Sequence, residues 1–247
     1  MRDAVCLGIN VFFQFTMNFA RMAHGFVRVV FCIWGAEMKH YPAYLFDADG
    51  TLIDTAELIY QCFRFTCKKF ADMEISREMA LKYTGLPLRK HMEAYLGPLD
   101  DEAFRVRAEA HMDYQMAIYR DYLKAFPGVR DVLAALSKRG ARMAVVTSRR
   151  IPTLSLFLKE TGLYGFFSVF VTPESTPRHK PEPDPALEAL RLLGVTPADA
   201  LFVGDSEWDV ACGNAAGIDT AIVPWAPSDR AHWRAAPTCV LADIADL

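Results

Sequence analysis

Tyr44-Leu45-Phe46-Asp47-Ala48-Asp49-Gly50-Thr51-Leu52-Ile53-Asp54-Thr55 is the stretch from which the fold follows. A short apolar run ends in two carboxylates, Asp47 and Asp49, spaced i and i+2, and then in Gly50-Thr51. Strands buried on both faces of a parallel sheet read as apolar runs, and their C-terminal ends form the edge where open α/β sheets bind ligands. Two adjacent acids with no base beside them in sequence repel unless a cation or a shared proton offsets the charge. Mg²⁺ is the expected cation, because it is hard, takes oxygen ligands and shares its shell with substrate phosphate. Asp-Gly is also a common turn dipeptide, so a strand ending in a plain polar turn accounts for these residues equally well. The spacing of later elements separates the two readings.

Downstream, the chain alternates helix and strand. A helix over 129–139 closed by Gly140 leads to a strand at 142–146 that ends in Thr147-Ser148. A helix over 153–161 closed by Gly162 precedes a strand at 168–171. Asp184-Pro185 reads as an N-cap followed by Pro at the first helical position, with Gly194 at the far end. The strand Ala200-Leu201-Phe202-Val203 runs into Gly204-Asp205-Ser206-Glu207-Trp208-Asp209, and a helix through Ala216 leads to a strand at 220–223. Strands alternating with helices of about ten residues predict βαβ units, a parallel sheet and right-handed crossovers.

The segment 55–125 breaks this rhythm. Helices are expected at 55–70, 76–83, 88–96 and 100–123, the first with Ile59, Cys62, Phe63, Cys67 and Phe70 on one face. The expected organisation is a core of 41–54 with 126–247, an inserted all-helical unit of 55–125, and residues 1–40 as an N-terminal extension outside the core. Ala4 to Ala20 is uncharged but carries Asn10, Gln14 and Asn18. Amides are costly in hydrocarbon, and a spanning helix needs about 20 mostly apolar residues. An upstream extension, with Met38 as an alternative start, is favoured over a weak N-terminal membrane anchor.

At 247 residues the chain is long enough for a sizeable core. A net charge of −3 and scattered basic residues give no footing for nucleic-acid binding. Six cysteines without CxxC spacing fit reduced thiols in a cytoplasmic protein rather than a zinc site or disulfide scaffold.

With these elements in place, Asp-x-Asp-Gly-Thr at 47–51, Thr147, Lys180 in Lys-Pro-x-Pro, and Gly-Asp-x-x-x-Asp at 204–209 together resemble the haloacid dehalogenase superfamily from about Tyr41 onward. The resemblance implies an α/β fold, a Rossmann-like parallel sheet core with an inserted helical cap. It implies a Mg²⁺-dependent phosphohydrolase working through an aspartyl phosphate on Asp47, with Asp49 as general acid and then base and Lys180 neutralising charge. Thr147, Ser148, Gly50 and Thr51 are implied around the substrate phosphoryl group. Asp47, Asp49, Asp205 and Asp209 are the implied metal residues, with Asp205 the stronger direct ligand and Asp209 direct or one shell further out. Within the family, the likeness is to the branch of phosphoglycolate phosphatases and bacterial pyrophosphatases. The expected substrate is a small phosphorylated metabolite, first phosphoglycolate, then inorganic pyrophosphate. A phosphosugar mutase or a non-catalytic binding protein are the alternatives, and a monomer or homodimer is expected, with no membrane partner. Arg89, in the Gly-Pro stretch between two helices of the insertion, is the expected grip on the substrate's second anion, against the alternative of a solvent-facing helix position. Arg149 is open between facing an anion and starting a solvated helix, and His91, His111 and His232 have no paired acid at a recognisable spacing.

Overall fold

The computed structural model describes residues 39–227 and 230–247. The expectations for the N-terminal extension and its membrane anchor lie outside the described residues. Six strands form one parallel sheet in the order β5-β4-β1-β6-β7-β8. They are β1 (Ala43–Phe46), β4 (Arg142–Val146), β5 (Val169–Val171), β6 (Ala200–Gly204), β7 (Asp219–Ile222) and β8 (Cys239–Val240). β1 lies between β4 and β6, with Phe46 opposite Val145 on one side and Val203 on the other. The strand order reverses at β1, which places a topological switch point at its C-terminal end.

Alternation along the central strands explains the two-sided core. Tyr44 and Phe46 of β1, Met143 and Val145 of β4, and Leu201 and Val203 of β6 share one cluster. Helices α5 (Val129–Lys138) and α6 (Ile151–Glu160) cover that face, burying Leu133, Leu136, Leu154 and Phe157. Ala43, Leu45, Ala144, Val146, Ala200 and Phe202 point the other way, onto α7 (Asp184–Leu193) and α8 (Glu207–Ala215). The expected α/β parallel sheet is therefore the observed fold. Some details differ. Pro183 caps α7 and Asp184 sits in its first turn, where its carboxylate accepts from Arg178 Nε at 2.9 Å. β8 and a two-stranded antiparallel ribbon, β2 (Ile53–Asp54) with β3 (Lys124–Ala125), were too short to leave a periodic signal.

The ribbon is where the chain leaves the sheet and returns to it. Between its strands lie α1 (Ala56–Ala71), α2 (Arg77–Leu81), α3 (Leu88–Leu96) and α4 (Asp101–Tyr122). Phe63, Cys67, Ile75, Ala80 and Met92 form a separate small core there. Two buried histidines belong to this helical unit: His91 Nε2 donates to the Ala80 carbonyl (2.9 Å), and His111 Nδ1 meets the Thr66 hydroxyl at 2.9 Å. The four described cysteines, Cys62, Cys67, Cys212 and Cys239, are buried and free, and no helix among the described residues is long and apolar enough to cross a membrane.

Burial lowers the His91 pKa to about 4 and the His111 pKa to about 3, so both are neutral in the fold. An unfolded histidine takes a proton near 6.5. Below that value the unfolded chain binds protons that the folded chain refuses. Their contribution is complete above pH 6.5 and declines toward pH 4, by about 1.4 kcal/mol per histidine per pH unit. The thermal midpoint should fall over this window, and a His91→Gln/His111→Gln variant should show a shallower slope. Parallel slopes for the two proteins would overturn this assignment.

Candidate active site

Four chain segments meet at the C-terminal end of β1. Asp47 follows β1 directly, and its backbone N–H still donates to the Val203 carbonyl of β6 at 3.0 Å, so the carboxylate is fixed at the sheet edge. Gly204 ends β6, and Asp205 and Asp209 follow across the start of α8. Lys180 enters from the loop before α7 with its side chain 1% exposed. Its ammonium donates to Asp47 Oδ1 and to Asp209 Oδ1, each at 2.7 Å. Asp47, Asp205 and Asp209 each place a carboxylate oxygen within 4.8 Å of the others.

The electrostatics follow from burial. Desolvation raises the Asp47 carboxyl to about 7, with Asp209 adding to the rise and Lys180 opposing it. Asp205 is pushed well above the usual carboxylate range by burial, Asp209 and Asp47. Burial alone would lower the Lys180 pKa, but Asp209 and Asp47 hold it above its ordinary value, so the ammonium keeps its proton. Fully ionised, the three carboxylates would leave two negative charges beyond the one ammonium, which is why burial raises Asp47 and Asp205 in the absence of a further cation. That is the donor set and the charge deficit suited to a hard divalent cation.

The turn after β1 makes room for this cluster. Gly50 has φ +83°, and a Cβ there would collide with the Asp205 carboxylate. Its carbonyl accepts from Trp225 Nε1 at 2.8 Å, and its N–H donates to the Ile53 carbonyl, so both backbone groups are used internally. Thr51 donates to Asp205 Oδ1 at 3.1 Å. Gly50 and Thr51, expected at the substrate, also shape and orient the acidic cluster through these bonds. Thr147 sits one residue past β4, buried, with its Oγ1 accepting from the Arg149 N–H at 3.1 Å and its own hydroxyl proton available. The Ser148 hydroxyl proton goes to the Gly85 carbonyl at 2.6 Å, binding the helical unit to the sheet edge.

Arg149 forks onto Asp49, Nε to Oδ2 at 2.8 Å and Nη2 to Oδ1 at 2.7 Å, and the Thr55 hydroxyl donates to Oδ1 at 2.7 Å. Burial would raise its pKa, but Arg149 and Thr55 overcome that and hold it below the usual value. Its carboxylate is therefore not one of the clustered side-chain oxygens of Asp47, Asp205 and Asp209. Asp209 is also constrained: Oδ2 accepts from the Ser206 hydroxyl (2.6 Å) and the Ser206 and Asp205 N–H groups, while Oδ1 takes Lys180.

Arg89 lies in α3, where its guanidinium donates to the Leu99 carbonyl (3.1 Å) and Asp101 (2.7 Å) and covers the Phe104 ring. These contacts tie α3 to the start of α4. The part of that loop that reaches the site is Gly85, in contact with Ser148, Ser206 and Trp208. Trp225 and Gln115 are the side chains at the site that the sequence did not single out, and Arg149, left open between facing an anion and starting a solvated helix, is buried there against Asp49. His91 and His111 stay within the helical unit.

Residues 44–223 match the model of the haloacid dehalogenase-like hydrolases. The chain belongs to that family. It is 35% identical over 205 residues to the pyrophosphatase PpaX of Bacillus pumilus, covering 82% of this chain and 93% of that protein. The PpaX pyrophosphatase of Oceanobacillus iheyensis is 31% identical over 204 residues, with the same shares covered. The fold matches the crystal structure of CbbY from Rhodobacter sphaeroides in complex with phosphate, at a TM-score of 0.71 and 23% identity, over 83% of this chain and 95% of that one. This haloacid dehalogenase-like hydrolase therefore has relatives along most of its described length.

Removing one member of a buried charge cluster strands the others. Lys180→Met should lower the stability of this hydrolase by about 3–5 kcal/mol at neutral pH, measured by denaturant unfolding. Added Mg²⁺ should recover part of the loss. An unchanged midpoint would mean that the ammonium does not hold the cluster together.

Proposed function

We propose that this hydrolase is a Mg²⁺-dependent phosphohydrolase of small anionic phosphates, acting through an aspartyl phosphate on Asp47, with the helices of 56–122 serving as a cap. The observation that carries the reading is the buried Asp47, Asp205 and Asp209 cluster around Lys180, short of two positive charges. Asp47 and Asp205 are the residues that would hold the ion, with Asp209 orienting Lys180 and the Ser206 turn behind them. Bound there, Mg²⁺ supplies charge neutralisation for attack on phosphorus.

The remaining steps belong to the side chains. An Asp47 oxygen bonds to phosphorus as the bond to the leaving oxygen breaks, with Lys180 and the Thr147 hydroxyl facing the transferred phosphoryl oxygens. In the second step a water attacks phosphorus, gives its proton to Asp49, and the Asp47–phosphorus bond breaks. Asp49 with three donors on it is in the base form that this step needs.

The same arrangement bears on the substrate. A phosphate leaving group is far more acidic than an alcohol and depends much less on a proton to depart, whereas the alkoxide of phosphoglycolate needs one. This, with the likeness to chains named pyrophosphatase PpaX, supports pyrophosphate ahead of phosphoglycolate, the reverse of the order expected from the sequence.

Asp47→Asn should abolish phosphate release from pyrophosphate and p-nitrophenyl phosphate while leaving the circular dichroism spectrum and thermal midpoint close to wild type. EDTA should silence the wild-type protein and excess Mg²⁺ restore it. Near-normal turnover by Asp47→Asn would rule out the aspartyl-phosphate route.

A further inference from the structure

Lys180 gives its three N–H groups to Asp47, Asp209 and the Val146 carbonyl, Arg89 is held within the inserted helices by Asp101 and Leu99, and Arg150 is exposed and paired with Glu174. Arg149 differs from all three. Its side chain is only 9% exposed, yet its three side-chain hydrogen bonds occupy three of its five N–H donors. Nε and one Nη2 proton go to Asp49, and one Nη1 proton goes to Gln115 Oε1 at 3.0 Å. One N–H remains on each terminal nitrogen. The flat face lies 4.4 Å from the Phe157 ring centroid, which fixes the plane of the fork.

The position of this fork follows from the proposed chemistry. In-line displacement puts the leaving group opposite Asp47, and Asp49 is the carboxyl that serves the leaving side. A guanidinium forked onto Asp49 thus stands beside the leaving group, on the far side of the transferred phosphoryl from the nucleophile. Its backbone N–H meets Thr147 Oγ1, which ties it to the candidate phosphoryl pocket. Gln115 belongs to α4, and the preceding Ser148 holds Gly85 of the same helical unit. Two successive residues after β4 therefore grip the proposed cap, and one of them also grips Asp49. As a latch alone, a buried ion pair is a poor device, since desolvation offsets much of its attraction. A planar cation with spare donors is well made for a second carboxylate or phosphate.

We propose that Arg149 is a specificity-determining, substrate-binding residue that takes the anionic group on the leaving portion of the substrate, under the cover of Gln115 and Gly85. This rests on the phosphohydrolase reading above. The group it takes is the distal phosphate of pyrophosphate or the carboxylate of phosphoglycolate, and a substrate with an uncharged leaving portion has nothing to offer it.

The test compares kcat/KM with Mg²⁺ for pyrophosphate, phosphoglycolate and p-nitrophenyl phosphate in wild type, Arg149→Gln and Arg149→Lys. Arg149→Gln should lose about tenfold to a hundredfold more on the two anionic-tailed substrates than on p-nitrophenyl phosphate, the size of a charge-assisted hydrogen bond. Arg149→Lys keeps the buried charge that Asp49 needs and should recover part of that selective loss. Because the readout is a ratio of substrates within one preparation, a partly unfolded variant still reports it. Equal losses on all three substrates would mean that Arg149 only positions Asp49, and no loss would reduce it to a latch; either result overturns the inference while leaving the hydrolase reading intact. A wild-type protein inactive on all three with Mg²⁺ would instead sink the phosphohydrolase reading, and this inference with it.

Discussion

The arrangement of the site depends on one buried ammonium. Lys180, with two carboxylates at 2.7 Å, joins the end of β1, the turn after β6 and the loop before α7 at a point where water does not reach. Acids desolvated this far are held apart by their own repulsion unless a cation stands between them. A single positive charge lets Asp47 and Asp209 share the sheet edge, and it leaves the cluster still deficient. The same geometry that makes the fold tolerate three carboxylates thus makes it receptive to a divalent ion. Fold stability and ion affinity are two consequences of one charge imbalance.

Much of this was legible before any coordinates, for a physical reason. Asp47 and Asp205 end apolar runs, and such strand ends are written locally in sequence, whereas Lys180 and Asp209 were placed by the resemblance to the haloacid dehalogenase superfamily. A parallel sheet then brings strand ends together without further information. What was not legible is direction and pairing. Arg89 has the neighbours of a loop cation, Gly85 and Pro87, but its orientation depends on Leu99, Asp101 and Phe104, which the fold of the insertion supplies. The Arg149 to Asp49 pair spans 100 positions and the Trp225 to Gly50 bond spans 175, and no local pattern encodes either. The Thr51 hydroxyl's bond to Asp205 spans 154 positions, since a motif gives a place at the edge and not the direction of a hydroxyl.

Two acids one residue apart end in opposite electrostatic states, and this divides the site. Asp47 and Asp49 start from the same ordinary value and both lose solvent in the fold, yet one is raised to about 7 and the other is lowered. The difference lies in what each faces. Asp47 shares one ammonium with Asp209 and has Asp205 beside it, whereas Asp49 has a guanidinium fork and the Thr55 hydroxyl to itself. Pushing the pKa values of neighbouring carboxyls apart is how a site assigns them different work. The β1 pleat supplies the means, since residues i and i+2 leave the strand close together but the tight turn at Gly50 points their environments apart.

That division also bears on how the inserted helices relate to the sheet. They contribute no carboxylate to the Asp47, Asp205 and Asp209 cluster, so the charge-rich half of the site is built by the sheet edge alone. Their polar reach is to the other half, through Gly85 on Ser148 and Gln115 on Arg149. Lid motions in enzymes complete a catalytic constellation rather than build it from nothing. If the helical unit is the cap proposed above, its movement would leave the Lys180 bonds to Asp47 and Asp209 within the sheet edge and act most on the surroundings of Asp49 and Arg149, the half that the proposed chemistry sets beside the leaving group.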